Sequence, residues 1–194
     1  MRQMLFHTDY EASRRTSRAN SRAMIDQPIL RAICMAAALP LMAGAARAMP
    51  ADQANIDAPA LDACVERAGR GEAAMACVGT TQAACVAHVR EAYRDVGEVH
   101  GEVPCLGAER DYWDTRLTDR YDRLMAIEQG RGADRADALR AAERAWISFR
   151  DALCGYDRLT NGHGTGGETA EPLCLVRETA RQSLILDGYI GDRN

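Results

Sequence analysis

Several residue types and patterns are missing from this 194-residue sequence. It has no lysine, which together with its abundant alanine and arginine is typical of a GC-rich genome. It has no C-x-x-C pair and its histidines are scattered, which argues against a zinc site. No stretch alternates apolar β-branched residues, which argues against β-strands. These absences predict a helical protein without a bound metal.

The sequence also has no apolar run long enough to span a membrane. The longest, residues 32–46, falls short of the roughly 20 residues that a membrane helix needs. Arg31 precedes this run and Ala46-Arg47-Ala48 follows it, which is the pattern of a secretory signal peptide with its cleavage site. We therefore expect residues 1–48 to be a signal region, cleaved after Ala48, and no membrane span in the mature form.

Residues 1–23 are polar and show no apolar periodicity, which leaves two interpretations. In the first, Met24 is the true start. In the second, Arg14 and Arg15 belong to an extended basic region for twin-arginine export. We favour Met24, because the rest of the twin-arginine motif is absent and the apolar run begins far downstream. Cys34 is a poor candidate for a lipoprotein site, because the apolar run follows it rather than precedes it.

The mature chain expected from this cleavage, residues 49–194, is acidic. It contains 17 Arg against 25 Asp and Glu, so its formal charge is −8, compared with −4 for the whole sequence. An acidic chain is a poor ligand for nucleic acid and a fair one for a basic protein. We therefore expect no nucleic-acid partner. The length suits one domain with a modest core.

Cysteine usage agrees with export to an oxidising compartment. Of the seven cysteines, Cys34 lies in the signal region and six remain in the mature chain. An even number in a small exported domain predicts up to three disulfides. The six are Cys64, Cys77, Cys85, Cys105, Cys154 and Cys174.

Cys154 and Cys174 form the one pair that sequence reasoning assigns. Cys154 is predicted to close one helix and Cys174 to open the next, and the loop between them, residues 155–173, is rich in glycine. A disulfide here joins two antiparallel helices, and closing a loop of this size stabilises a fold by about 3 kcal/mol. The other four cysteines have three alternative pairings, which stay open.

Three segments follow the signal region. Residues 49–60 contain prolines and small residues and are predicted to be a linker. Residues 105–190 are predicted to be the main helical domain. Between them, residues 61–104 contain short helical pieces separated by glycines, at 61–68, 72–78 and 81–95.

The main domain contains three amphipathic helices, in which apolar residues recur at spacings of three and four and are expected to face the core. Gly130 and Gly132 are predicted to end the first helix and Asp134 to cap the second. Pro172 suits the first turn of the third. The fold class is all-α, a small disulfide-stapled helical bundle. The apolar sets are Trp113, Leu117, Tyr121 and Leu124 near 108–128; Leu139, Ala142, Trp146, Phe149 and Leu153 near 135–157; and Leu173, Val176, Ala180 and Leu184 from about Pro172 onward.

The glycine-rich loop has two interpretations. Its glycines superficially resemble a phosphate-binding loop, but such a loop follows a strand, whereas a helix and a cysteine precede this one. We therefore interpret it as a turn inside a disulfide loop. The alternative is a binding loop that presents His163, Gly164, Gly166 and Gly167 to a partner.

Charged residues accompany the aromatic residues of the main domain. We interpret them as a partly buried polar network that fixes the relative positions of the helices, in which every charge needs a partner. An acid/base pair is the alternative, but no positioned nucleophile accompanies it. We therefore expect neither catalysis nor a cofactor. The network consists of Glu109, Asp114, Arg150, Asp151 and Arg181.

These residues resemble the pattern of the LprI-like lysozyme-inhibitor family, a group of small exported bacterial proteins. The resemblance covers residues 105–184. Two positions depart from the family pattern: Thr118 stands where Asn is usual, and Glu143 where Gln is common. The matching positions are Cys105, Glu109, Trp113, Asp114, Leu117, Tyr121, Leu124, Trp146, Ile147, Phe149, Arg150, Asp151, Cys154, Gly166, Gly167, Cys174, Thr179 and Arg181.

The resemblance implies an all-α fold and an exported, periplasmic or secreted protein that binds lysozyme. An acidic surface suits lysozyme or another basic envelope protein, because opposite charges favour association. The segment 155–173 is our candidate for the part that enters a cleft. The alternative is a structural or envelope-stress domain that binds another envelope component and has no activity on lysozyme.

Overall fold

The computed structural model describes residues 54–94, 98–162 and 165–193. The predicted signal region, residues 1–48, and the loop residues His163 and Gly164 lie outside the described residues. Within these ranges the chain is all-α, as predicted, and contains no strand. The described residues form five α-helices and one 3-10 helix, in the order α1 (Ala58–Ala68), η1 (Gly71–Cys77), α2 (Gln82–Ala92), α3 (Glu98–Arg131), α4 (Ala133–Thr160) and α5 (Thr165–Gly191).

The three long helices, α3, α4 and α5, form the body of this structure. Helix α5 makes its most extensive contacts with α3 and also packs against α4. On α3, Trp113 and Leu124 are buried, and Leu117 and Tyr121 are partly buried. The stripes predicted on the first and third helices therefore face the core. The buried members of the α5 stripe are Val176, Ala180 and Leu184.

The stripe predicted to be the core face of α4 is wrong in orientation. Phe149 is 57% exposed, Ala142 is exposed and Trp146 is only partly buried. The true inward face lies about one residue, or roughly 100°, around the helix. Its polar members hydrogen-bond to α5 in place of water, which satisfies them inside the bundle. The inward residues are Ala136, Glu143, Arg150 and Cys154.

A single glycine joins α3 to α4. Gly132 adopts φ +141°, a conformation that favours glycine, and the two helices run antiparallel. Gly130 lies inside α3, so only Gly132 ends that helix. Asp134 lies in the first turn of α4, while Gly132 occupies the cap position without a side-chain bond. The predicted Asp134 cap is therefore wrong.

Two helices start earlier in the chain than predicted. Helix α5 begins at Thr165 and α3 at Glu98, so Pro172 and Pro104 lie inside them. An internal proline forfeits one backbone hydrogen bond and costs about 3 kcal/mol. Each proline lies within two residues of a disulfide-bonded cysteine, so a cross-link holds that turn against a neighbouring element.

The shorter elements α1, η1 and α2 pack against the long helices. The Asp57 side chain accepts a hydrogen bond from the Ala60 N–H (2.9 Å), and Pro59 lies in the first turn, so α1 begins at Ala58 instead of residue 61. Helix η1 packs on α5, and α2 on α3. None of the helices in the described ranges has both the length and the hydrophobicity needed to cross a membrane.

Candidate binding site

All six cysteines of the described chain form disulfides, and the three bonds join neighbouring cysteines in sequence order. The Cα–Cα distances of 5.8, 5.9 and 5.3 Å fit such bonds. The third bridge joins positions inside α4 and α5 rather than their ends, so it staples the two helices side by side. The pairs are Cys64–Cys77, Cys85–Cys105 and Cys154–Cys174.

Glu109 is fully buried and accepts three hydrogen bonds. Its Oε1 accepts from the backbone N–H of Gly79 (2.8 Å) and from Trp113 Nε1 (3.2 Å). Its Oε2 accepts from Gln82 Nε2 (2.6 Å). All three donors belong to uncharged groups, and two of them lie around the turn between η1 and α2. The carboxylate therefore holds α3 to that turn.

Arg150 is the centre of a second polar cluster, where α4 meets α3 and α5. Its guanidinium lies 4.9 Å from the centroid of the Trp146 ring and donates to Thr179 Oγ1 (3.5 Å). It also pairs with Asp151 (2.9 Å) and lies 3.9 Å from Asp114. Burial raises the pKa of Asp114, and the charges of Arg150 and a second arginine oppose that rise.

The five residues predicted to form one network do not all meet. Three of them come together at the Arg150 cluster, whereas Glu109 lies at its own site. Arg181 pairs with Glu178, one turn earlier on the same helix. Leu117 and Tyr121 pack in a separate apolar cluster of the bundle, where burial raises the pKa of Tyr121.

A further ionic cluster was missed by sequence reasoning. Asp187 of α5 lies between Arg116 (2.7 Å) and Arg120 of α3. Arg116 also lies 3.5 Å from Asp62 of α1, whose carboxylate accepts a hydrogen bond from Tyr112 (2.6 Å). Burial and the bond to Asp62 raise the pKa of Tyr112. The arginines at i and i+4 indicate a shared face, but the acidic partner is 71 residues away from Arg116.

The segment between Cys154 and Cys174, predicted as a loop, is mainly helical. Helix α4 continues to Thr160, and α5 begins at Thr165. We call residues 155–173 the α4–α5 tip. Its described residues are therefore mainly the ends of two helices, which the disulfide joins at their base.

The two described glycines of the predicted binding loop lie in the first turn of α5. A Cβ atom on Gly167 would overlap the backbone carbonyl of Gly162, far inside van der Waals contact. Gly166 has ordinary space, with 3.6 Å from its Cβ position to Asn161 O. Gly167 therefore permits the close approach of the two helix ends, which is a packing role.

The tip is acidic. It carries three carboxylates against one arginine, a formal charge of −2 with histidine neutral. Arg158 lies 3.5 Å from Glu171. Glu168 is exposed in the first turn of α5, where a carboxylate interacts favourably with the helix dipole. Together with Asp157, it gives this ordered end of the hairpin a negative surface.

The long helices resemble a known protein family. Residues 97–184 match the family model described as Lysozyme inhibitor LprI. The LprI resemblance is confirmed for these residues. We call them the LprI segment, and they include Glu109, the Arg150 cluster and the tip. No curated protein and no solved structure matches the chain.

The two departures from the family pattern have different surroundings in the LprI segment. Thr118 donates to the Asp114 carbonyl one turn earlier in α3 (2.9 Å). Glu143 is 4% exposed between α4 and α5 and accepts a hydrogen bond from Gln182 Nε2 (2.6 Å). Burial raises the pKa of Glu143, and this hydrogen bond opposes the rise.

One cavity lies outside the LprI segment. It has a volume of about 440 Å³ and is lined by residues preceding α1 and by α2, among them Ile56, Thr81 and His88. The Thr81 hydroxyl is buried there without a hydrogen-bond partner. Across the described ranges, no group of three or more His, Cys, Asp or Glu side chains is placed to hold a metal ion.

Proposed function

We propose that this protein is exported and inhibits lysozyme by binding it. The match of the LprI segment to a family described as a lysozyme inhibitor carries the proposal. Three disulfides suit an oxidising location, which is the periplasm or the exterior of the cell. The formal charge of −8 over residues 49–194 suits a basic partner such as lysozyme.

Within the LprI segment, we assign the contact with lysozyme to the α4–α5 tip. Its acidic side chains attract a basic enzyme, and opposite charges raise the rate of encounter. Because the Cys154–Cys174 bridge and the two helix ends already hold Asp157 and Glu168 in place, their binding costs little conformational entropy. Asp157 and Glu168 are the carboxylates that we expect to face the enzyme.

We propose binding rather than catalysis, because the polar groups of the LprI segment are engaged within the fold. Glu109 is fully buried and accepts three hydrogen bonds. Arg150 is paired with carboxylates and covered by an aromatic ring. Such groups stabilise the positions of helices and are poorly placed to meet a substrate.

A lysis assay tests the function. The chain, exported and purified with its disulfides formed, is titrated against lysozymes of several structural types while the turbidity of a cell-wall suspension is followed. We expect slower clearing with one type at near-stoichiometric amounts, and loss of that effect once the disulfides are reduced. Unchanged clearing at high molar excess over every type would overturn the proposal.

Two matched variants test the assignment to the tip. Asp157→Asn with Glu168→Gln removes two charges from the tip, and Glu66→Gln with Glu72→Gln removes two exposed charges from α1 and η1. We expect the tip variant to weaken inhibition about tenfold, which is about 1.4 kcal/mol. The control variant should inhibit like the parent. An equal loss in both variants would refute the tip assignment, while leaving lysozyme as the partner.

A further inference from the structure

The outward face of α4 carries an apolar pattern that the bundle does not use. Seven residues recur at strictly alternating spacings of four and three, all are exposed, and none is charged. They span about 32 Å of helix at 1.5 Å per residue. We call them the α4 seam. They are Ala138, Ala142, Ala145, Phe149, Ala152, Tyr156 and Leu159.

This pattern is the one that packs helices together in coiled coils. An apolar heptad sustained over three repeats predicts a helical partner. The partner is not within the bundle, because α4 meets α3 and α5 through its opposite face. Phe149, Tyr156 and Leu159 are 57%, 63% and 68% exposed. Contiguous apolar surface of this kind marks an interaction site.

We propose that two copies of the chain associate through the α4 seam, with their α4 helices antiparallel about a two-fold axis near Phe149. The distribution of side-chain size favours this partner. The first half of the seam is alanine, and the large residues lie in the second half. Antiparallel pairing places Leu159 opposite Ala138 and Tyr156 opposite Ala142, so each large side chain meets a small one. Parallel pairing would place large residues against each other and leave gaps between alanines.

The available area suits a dimer. At about 200 Å² for a large side chain, the three exposed large residues supply roughly 350 Å² per copy. A standard interface buries about 800 Å² per partner. The exposed alanines contribute to the remainder, as do the accessible parts of Trp146 and Leu153 beside the seam. The two α4–α5 tips lie at opposite ends of such a dimer and contribute Tyr156 and Leu159 to it, whereas Asp157 and Glu168, the carboxylates assigned to lysozyme, are not seam residues.

Sedimentation equilibrium of the exported chain measures the association. We expect twice the mass of one chain at micromolar concentration, and at least a hundredfold weaker association for Phe149→Glu. The control is Ile185→Glu, which changes an exposed apolar residue of α5 that is 42% accessible and lies off the seam. Because Phe149 is exposed within its own chain, its variant should match the parent melting temperature at concentrations low enough that both are single chains. Ala145→Glu serves as a second seam variant.

Exchange of side-chain size tests the antiparallel order. Ala142→Tyr alone should weaken association about tenfold, because it meets Tyr156 of the second copy, whereas the double variant with Tyr156→Ala should recover it, because a large side chain again meets a small one across the axis. A single-chain mass up to about 100 µM, or a dimer unaffected by Phe149→Glu, would overturn the proposal. The proposal would also be overturned if the parent were monomeric and Phe149→Glu abolished its binding to lysozyme, because the seam would then be a contact surface for lysozyme. Failure of the double variant to recover would overturn the antiparallel order.

Discussion

Replacement of Glu109 by glutamine is expected to destabilise the fold by about 2 kcal/mol. The oxygen of the new amide can keep the hydrogen bonds from Gly79 and Trp113. Its NH₂ group then faces the Gln82 amide nitrogen, which also donates to the Cys105 carbonyl (3.1 Å) and so cannot turn round without loss. One hydrogen bond to a charged group contributes about 1.5–3 kcal/mol, and a buried donor facing another donor has no water to replace it.

Urea unfolding of the purified chain with its disulfides intact measures this loss. The midpoint should fall while the dependence of the unfolding free energy on urea stays unchanged, since the surface exposed on unfolding is the same. In a thermal melt, 2 kcal/mol corresponds to a decrease of about 4–8 °C for a chain of this size.

A second substitution separates the hydrogen bond from other effects at Glu109. In the double variant Glu109→Gln with Gln82→Glu, the acceptor and the donor exchange sides, so the contact is complementary again. We expect recovery of at least half of the lost stability but not all of it, since the carboxylate at position 82 can no longer donate to the Cys105 carbonyl. If Glu109→Gln unfolds within about 0.5 kcal/mol of the parent, or if the double variant is less stable than the two single effects predict, the argument from buried donors is refuted.

Three further predictions concern the α4–α5 pair. Gly167→Ala should destabilise the fold by about 1–3 kcal/mol, because the added Cβ meets backbone atoms. Gly188→Ala on the same helix has open space around it and should stabilise the fold by about 0.5–1 kcal/mol. Thermal melts compare the two variants, and an equal response would contradict the packing argument. Burial raises the pKa of Glu143 in the folded state above its ordinary 4.5. The contribution of Glu143 to stability is therefore fully present below pH 4.5, where its side chain is protonated, and it is lost as the pH rises through the folded-state pKa. Glu143→Gln should therefore match the parent near pH 3 and exceed it by about 1 kcal/mol at pH 7, and a difference that does not vary with pH in urea titrations would rule this out. Replacing Cys154 and Cys174 together by alanine opens a 20-residue loop and should lower the free energy of unfolding by about 3 kcal/mol. A loss below about 1 kcal/mol would mean that the disulfide does not restrain the unfolded chain.

Periodicity predicted the helical class and the core faces of α3 and α5, because each of those helices has one apolar stripe and a polar remainder. For helix α4, periodicity predicted the wrong core face. An exposed heptad of alanine and aromatic residues lies there beside an inward face that contains Glu143 and Arg150. A spacing pattern reports that a face is apolar and not which way it points. The proposed dimer accounts for the outward stripe on α4.

The polar sites were harder to predict than the helices. Glu109 and Trp113 were singled out, but the other two donors to the Glu109 carboxylate lie 30 and 27 residues earlier, at Gly79 and Gln82. The Asp187 cluster was missed altogether, because its arginines and its carboxylate come from helices far apart in sequence. Such partners depend on the topology that brings elements together, and local spacing carries no information about it. The Cys154–Cys174 pair, which was assigned, needed only two adjacent antiparallel helices.

The order of the disulfides has a consequence for how the chain becomes oxidised. Numbered from the N-terminus of the described chain, the cysteines pair first with second, third with fourth and fifth with sixth. In a chain that crosses a membrane N-terminus first, each odd-numbered cysteine enters the oxidising compartment shortly before its own partner. Oxidation in order of arrival then produces the native set directly. Three successive short loops, closed one after another, spare this fold the slow reshuffling that interleaved disulfides require.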